Sequence, residues 1–201
     1  MALWDKLFGK TPSKKPERSP YLPFEEDPTD ISFAKNFTAK GGHFLYSDKP
    51  SQINVNFEHI CTENQWQTTA IVSVDKSLSN GFQTTYVEQT TGRFKAFSAA
   101  LIYCEYLIGN TGKILLSEHQ IKHIKLSELP PTVIVIAKTN QIVRDVSQGM
   151  SLLKNKYGKN IPTNITTLKT TALEENTNND IAEQNTSSKN IYLLLEDVLD
   201  L

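Results

Sequence analysis

Two stretches in the second half of the chain decide the fold: AALIYCEYLIGNTGKILLSE at residues 99–118 and PPTVIVIAKTNQIV at residues 130–143. Both contain short, nearly continuous apolar runs, at 99–108, 114–117 and 132–137, and polar residues, glycine or proline bound each run. A further run of this kind, IYLLL, occupies residues 191–195. Strands that are apolar on both faces belong in a sheet that is covered on both sides, usually a parallel sheet with crossover helices. The sequence therefore predicts an α/β fold with a mostly parallel sheet.

The remaining elements are predicted from apolar spacing and from residues that begin or end helices. Asp30 is expected to cap a helix that runs to about residue 40 and ends at Gly41 and Gly42. Apolar residues at helical spacing predict a helix over 140–157, which Gly158 closes. We further predict a strand at 43–47, a helix at 49–63, a strand at 70–74 and a weaker strand at 164–168, whereas 76–97 shows only turn signals such as Asn80-Gly81.

Composition limits the class of protein. The chain has 201 residues, enough for one well-buried core, and its 21 Lys+Arg against 22 Asp+Glu give a net charge of −1. That balance argues against a dedicated nucleic-acid binder, which normally carries a basic excess. The cysteines, Cys61 and Cys104, are too few for a disulfide scaffold and lack the spacing of a metal site. Two cysteines fit a reducing compartment, and the chain shows neither a signal peptide nor a long apolar run, so we expect a cytoplasmic protein. We assign it no cofactor of its own.

The chain divides into a tail and a domain. Residues 1–23 combine an amphipathic hook, with Leu3, Trp4, Leu7 and Phe8 on one helical face, and a linker rich in proline and lysine. The hook could dock on a partner protein or on an anionic membrane surface, or it could be a frayed terminus. The α/β domain is expected at 24–201, with a polar, acidic loop at 169–189 that is either functional or disordered.

The turn Gly109-Asn110-Thr111-Gly112-Lys113 is the first candidate site. A phosphate-binding P-loop needs glycine and Ser/Thr where this chain has Leu107 and Ile114, so that interpretation fails. A tight turn with exposed N–H groups, an amide, a hydroxyl and an amine could still hold a small carboxylate or phosphate. The alternative is an ordinary solvent-exposed turn.

Three other residue types could carry chemistry. Glu105 lies in an apolar run, so its carboxylate is predicted to find a partner, to lie at an edge or to belong to a site. Its neighbour Cys104 is expected to be a small buried hydrophobe. His119 and His123 have the spacing of paired metal ligands, but lysines surround them and no third ligand is near, so no metal site is predicted.

Residues 104–118 and 129–150 together resemble the LUD domain, the family of C-type lactate-utilisation subunits. The turn matches the family at Thr111 and Gly112, and TNQIV at 139–143 matches the start of a family helix. The resemblance runs in order from Phe33 to Asp197 and includes the closing strand IYLLLED. Lys113 stands in place of the family's Ser or Thr and Asn110 in place of an acidic residue, and the Gly/Pro/His motifs before the last strand are missing.

The resemblance implies a three-layer fold with helices on both faces of the sheet, similar to the CoA-transferase and ribose-5-phosphate isomerase group. It also implies a cytoplasmic role in oxidising L-lactate or a related organic acid, beside a flavin or iron–sulfur partner subunit. The candidate ligand-binding residues are Glu105, Asn110, Thr111, Gly112 and Lys113, and no catalytic residue is identified. Because of the departures, the sequence favours a subunit without catalysis of its own, and the alternative is a non-catalytic scaffold or regulatory partner that docks through the N-terminal hook.

Overall fold

The computed structural model describes residues 27–90, 94–170 and 188–198. The predicted hook with Leu3, Trp4, Leu7 and Phe8, the linker and most of the polar loop lie outside these residues. Within them the chain forms five α-helices: α1 (Thr29–Ala39), α2 (Pro50–Glu63), α3 (Lys76–Phe82), α4 (Glu118–Ile121) and α5 (Val146–Tyr157).

The same residues form ten strands, which belong to two joined sheets. The strands are β1 (His43–Ser47), β2 (Ile71–Ser73), β3 (Thr85–Tyr86), β4 (Ala99–Tyr103), β5 (Tyr106–Ile108), β6 (Lys113–Ser117), β7 (Thr132–Lys138), β8 (Ile142–Val143), β9 (Ile165–Thr170) and β10 (Ser188–Glu196).

The larger sheet is parallel throughout, in the order β3-β2-β4-β7-β10-β1. The smaller sheet, β9-β6-β5-β8, pairs antiparallel except between β5 and β8. The two sheets meet at the start of β10, where Ser188 and Lys189 pair with Lys169 and Thr170 of β9. A mostly parallel α/β sheet, as predicted, is confirmed.

The core alternates between the two faces of the parallel sheet. Ile134 and Ile136 of β7 pack with α2 and α3 on one face. Val133 and Val135 point to the other face, where α1 and the smaller sheet cover them. Helix α5 packs on the outer side of the smaller sheet through Leu153. Helices therefore lie on both sides of the parallel sheet, and the smaller sheet lies beside α1 on the second side. The similarity to the CoA-transferase group stays a prediction.

Several predicted boundaries match the structure. The strand at 43–47 is β1, and the helix at 49–63 is α2, which begins at Pro50. The strand predicted at 70–74 is β2, the one at 164–168 is β9, and the last run is the longer β10. Gly158 ends α5 as predicted, with its N–H donating to the carbonyl oxygen of Lys154 at 2.8 Å.

Two predicted elements extend too far. In each of them the chain changes direction within the predicted range. Residues 99–108 form two strands in different sheets, and the chain leaves the parallel sheet at Cys104 and Glu105. The helix predicted from residue 140 begins instead at Val146, with Asp145 as its cap, after a short 3₁₀ turn and β8. In both cases local apolar spacing hides the break.

Two local predictions also need correction. Pro28, and not Asp30, occupies the N-cap position of α1; Asp30 lies in the first turn and accepts a hydrogen bond from the N–H of Ile31. Residues 76–82, which showed only turn signals, form α3. Asp75 caps α3 by accepting hydrogen bonds from the N–H groups of Ser77 and Leu78. The free energy gained from this cap offsets the low helix propensity of Gly81.

Candidate functional site

The turn at residues 109–113 joins β5 to β6 as a hairpin and lies against α1. Gly112 has a φ of +64°, and a Cβ atom added there would lie 2.5 Å from the backbone nitrogen of Phe37. The side-chain amide of Asn36 donates a hydrogen bond of 2.8 Å to the carbonyl oxygen of Gly109. Position 112 therefore requires glycine, both for its backbone conformation and for the close approach of α1.

The backbone N–H groups of this turn donate to carbonyl oxygens of the protein. Gly109 donates to Val143 at 2.7 Å and Asn110 donates to Arg144 at 2.9 Å. The next two N–H groups both donate to the carbonyl oxygen of Ile108, at 3.3 and 2.8 Å. The predicted anion site relied on exposed N–H groups, and these four are used within the fold. An anion held by the side chains of the turn alone stays a prediction.

The side chains of the turn differ in exposure. Asn110 is exposed and Lys113 is half-buried. The hydroxyl oxygen of Thr111 is enclosed and has no hydrogen-bond partner within the described ranges. The turn therefore presents an amide and an amine to solvent, but not the hydroxyl.

Glu105 lies at the opposite end of β5 from this turn, so the structure does not bring the predicted site residues together. Its side chain is enclosed and has four partners. Lys156 Nζ and Tyr157 Oη of α5 donate to the carboxylate at 2.8 Å each. Ser117 Oγ donates at 2.7 Å and Gln120 Nε2 at 2.9 Å, both from the junction of β6 and α4. Of the options left open by the sequence, Glu105 is a partnered, buried carboxylate.

The electrostatics of this cluster fix its protonation state. Burial alone raises the pKa of Glu105, but the hydrogen bonds, that from Lys156 foremost, outweigh burial and hold the pKa below its ordinary value. For Lys156, burial lowers the pKa, yet the bond to Glu105 leaves it raised overall. Burial also raises the pKa of Tyr157. Glu105 is therefore an anion, Lys156 a cation and Tyr157 a neutral phenol. None of these three groups changes its protonation state near neutral pH.

The two histidines do not share a helix. Helix α4 ends at Ile121, and Lys122 follows with a φ of +51°, so His123 lies beyond the helical geometry that four-residue spacing needs. The ring of His119 instead stacks on Tyr157, with 4.9 Å between ring centroids. In residues 27–90, 94–170 and 188–198, no group of three or more His, Cys, Asp or Glu side chains is placed to hold a metal ion.

Both thiols are enclosed. Cys104 is 4% exposed, and burial, followed by the charge of Glu105, raises its pKa far above its ordinary value. Burial and Glu58 also raise the pKa of Cys61. A protonated, enclosed thiol is neither a nucleophile nor a ready metal ligand. The expectation of a small buried hydrophobe at 104 is confirmed.

A cleft of about 280 Å³ opens at the carboxyl ends of β4, β7 and β10. Helix α2 forms one wall near its N-terminus, and the end of α3 closes another side. In open α/β sheets, ligands bind outside the carboxyl ends of the strands, which is where this cleft lies. The side chains that line the cleft include Ile53, Asn54, Phe82, Tyr103, Lys138 and Glu196.

An ion pair occupies the polar side of the cleft. Lys138 Nζ lies 3.8 Å from Glu196 Oε2, and the Lys138 side chain is 55% exposed. Gln141 also lines the cleft, but its amide nitrogen donates to the carbonyl oxygens of Cys104 (2.8 Å) and Glu105 (3.1 Å). Gln141 therefore fixes the loop after β4, whereas Lys138 and Glu196 remain able to meet a small charged molecule.

Sequence reasoning missed the cleft because its walls come from distant segments. Asn54, Phe82 and Tyr103 share no spacing that a motif could capture. One signal was present: Lys138 and Glu196 each directly follow the apolar part of a predicted parallel strand, and such positions gather at one edge of a sheet. No helix in the described part of the chain is long and apolar enough to cross a membrane.

Comparisons with known proteins agree with this architecture. A crystal structure of a DUF162 family protein from Deinococcus radiodurans superposes with a TM-score of 0.61 at 14% sequence identity, covering 85% of this chain and 96% of the other. At that identity the likeness shows the fold alone. No curated protein gives a significant match. The family model of the LUD domain matches residues 32–195, most of the chain. The chain therefore belongs to the LUD domain family.

Proposed function

We propose that the chain is a subunit of a cytoplasmic system that oxidises L-lactate or a related 2-hydroxy acid, and that it binds the acid in the cleft. Family membership supports the reaction class. The observation that carries the proposal is the pairing of Lys138 with Glu196 at the carboxyl ends of β7 and β10, beside apolar walls. A site of this kind suits a small molecule with one carboxylate and one hydroxyl.

The binding mode follows from the charges. The ligand carboxylate meets the ammonium of Lys138, which is a compact point charge on a flexible stem. The hydroxyl group of the acid donates to the Glu196 carboxylate, and Asn54 and Gln141 supply further amide groups at the wall. Binding replaces part of a long 3.8 Å ion pair by shorter contacts, so little interaction energy is lost.

Oxidation of a 2-hydroxy acid to the 2-keto acid breaks one C–H bond and one O–H bond of the alcohol group, and it releases two electrons and two protons. We assign this step to a partner subunit with a flavin or iron–sulfur group. The enclosed thiols of Cys61 and Cys104 do not fit an iron–sulfur cluster in this chain. The chain's own contribution is to bind and orient the acid.

Binding of L-lactate by isothermal titration calorimetry tests the proposal. Lys138→Met should weaken binding by about tenfold or more, because a charged hydrogen bond to the carboxylate is lost. Lys154→Met, on the exposed side of α5, is the matched control and should leave the Kd unchanged. Lys113→Met tests the turn at residues 109–113 in the same way. A loss of binding in Lys113→Met but not in Lys138→Met would move the site to the turn.

The partner-docking alternative concerns the N-terminal hook. Leu3, Trp4, Leu7 and Phe8 would dock on the partner subunit or on an anionic membrane surface, and the basic residues that follow would add attraction to acidic groups. Deleting residues 1–20 should then reduce partner capture and vesicle binding while the Kd for the acid stays the same. Equal capture and equal vesicle binding by both forms would reject a docking role.

A further inference from the structure

The cleft is larger and more apolar than a ligand as small as lactate requires. Its volume of about 280 Å³ approaches the lower end of sites that enclose drug-sized molecules, about 300 Å³. Only part of its wall is polar, since aliphatic and aromatic side chains line the rest. Lactate would contact the ion pair of Lys138 and Glu196 and leave most of the apolar wall in contact with water. A ligand that covered this wall would gain binding free energy that lactate cannot gain.

The apolar wall is built from fixed side chains. Ile53 and Ile136 are 5% and 6% exposed, so they form the buried base of the cleft. The ring of Phe82 packs edge-on against Phe57, with 4.9 Å between centroids and 64° between planes. Tyr103 is among the large apolar side chains that remain exposed, at 40%. An exposed aromatic ring at the end of a central strand gains by being covered.

The polar and apolar parts of the cleft are separated along the sheet. Glu196 pairs in register with Lys138, so the charged end lies over β10 and β7. Tyr103 ends β4, on the other side of β7, and pairs in register with Ile136. Neighbouring strands lie about 5 Å apart, so Tyr103 is roughly one strand from Lys138 and two from Glu196. A ligand that reaches both ends is longer than lactate.

We infer that the cleft selects 2-hydroxy acids with a branched or aromatic side chain over lactate, an inference that rests on the proposed function. The carboxylate and hydroxyl of the acid lie at Lys138 and Glu196, and its side chain covers Tyr103 and Phe82. Tyr103 and Phe82 are then specificity-determining residues, and the charged pair is common to all ligands of the class.

A ligand series measured by calorimetry on the full chain tests this inference. The probes are L-lactate, 2-hydroxyisocaproate and 3-phenyllactate, which share the 2-hydroxy acid group and differ in side chain. Each buried CH₂ group should tighten binding by up to about fourfold. We expect the Kd to fall along the series, with a total change of about tenfold or more. Equal Kd values across the series would overturn the inference.

Variants of the apolar wall give a second test. Tyr103→Ser should raise the Kd for 3-phenyllactate by about fivefold or more, and it should raise the Kd for L-lactate by a smaller factor, so that the preference for 3-phenyllactate falls. Val55→Ser removes another exposed apolar side chain, 46% exposed and outside the cleft, and should change neither. A Tyr103→Ser protein that melts like the wild type and keeps the full preference for 3-phenyllactate would contradict the assignment.

The two proposals fail in different ways. If the three acids bind with equal Kd values and binding still depends on Lys138, the proposed preference for larger ligand side chains is rejected and the proposed function stands. Binding that is independent of Lys138, or no binding of any acid, rejects the proposed function and the selectivity with it.

Discussion

The ammonium of Lys156 donates a 2.8 Å hydrogen bond to Glu105, whose side chain is fully enclosed, while Lys156 itself is 51% exposed. One partner therefore cannot reach water, and the other can. The pair joins the last turn of α5 to the point where the chain leaves the parallel sheet. It ties the outer helix to the hairpin of the smaller sheet, so this junction depends on a charged contact.

Replacing Glu105 by glutamine should lower the free energy of unfolding by roughly 2 to 4 kcal/mol. The new amide group would face donors from Lys156 and its neighbours, and at least one of them would lose its acceptor. Urea unfolding followed by circular dichroism measures the difference. Glu58→Gln, an exposed position on α2, is the control and should change stability by less than about 0.5 kcal/mol. Equal stability of both variants would show that the buried pair contributes nothing net.

The same carboxylate should make stability depend on acid pH. Its pKa lies below the ordinary value of 4.5 in the folded state, so the folded protein holds the charged form better than the unfolded chain does. This contribution is complete above the unfolded pKa and is lost as the pH falls through the lower, folded pKa. The gap in unfolding free energy between wild type and Glu105→Gln should therefore be constant near neutral pH and shrink below about pH 4.5. A gap that stays constant under acid conditions would contradict this assignment.

Gly112→Ala should destabilise the fold by about 2 to 4 kcal/mol, since alanine disfavours a positive φ and its Cβ would collide with the α1 backbone. Gly81→Ala is the matched control, because a Cβ there meets no atom within 4 Å and the position is helical. Gly81→Ala should raise the free energy of unfolding by about 0.5 to 1 kcal/mol. Thermal melting of both variants checks the opposite signs, and two shifts of the same sign would count against the close approach of α1.

Both cysteines should resist alkylation in the folded protein. Burial raises the pKa of each thiol, and neither is accessible to a reagent of the size of iodoacetamide. Mass spectrometry after timed labelling should show no adduct in buffer and two adducts in urea. Labelling of Cys104 in buffer at the rate of a free thiol would mean that the loop between β4 and β5 opens.

Much of the parallel sheet could be predicted from the sequence, because its central strands are apolar on both faces. The runs that became β7 and β10 carry few polar residues, and only a doubly covered strand suits such a composition. The break at Cys104 and Glu105 could not be predicted in the same way. Glu105 is acceptable inside an apolar run only because Lys156 meets it, and that contact joins residues 51 positions apart.

The candidate site was harder to predict than the fold. The turn at 109–113 stood out because glycine, asparagine and lysine occur together, yet its N–H groups are used within the protein. The cleft depends on Asn54, Phe82 and Tyr103, which meet only after the sheet has formed. Short motifs report local backbone requirements, here the approach of α1 to Gly112, more readily than they report a binding surface.

Strand β10 has a consequence for how the protein is made. It pairs with β7 and β1 in the larger sheet and with β9 in the smaller one, and it ends at Glu196. A nascent chain still on the ribosome carries β1 without its partner until every element from α2 to β9 has been synthesised. Pairing over such sequence separations is slow. Premature termination before β10 would therefore leave both sheets without this strand, with apolar strands available for aggregation, and the nascent chain would depend on chaperones until β10 is made.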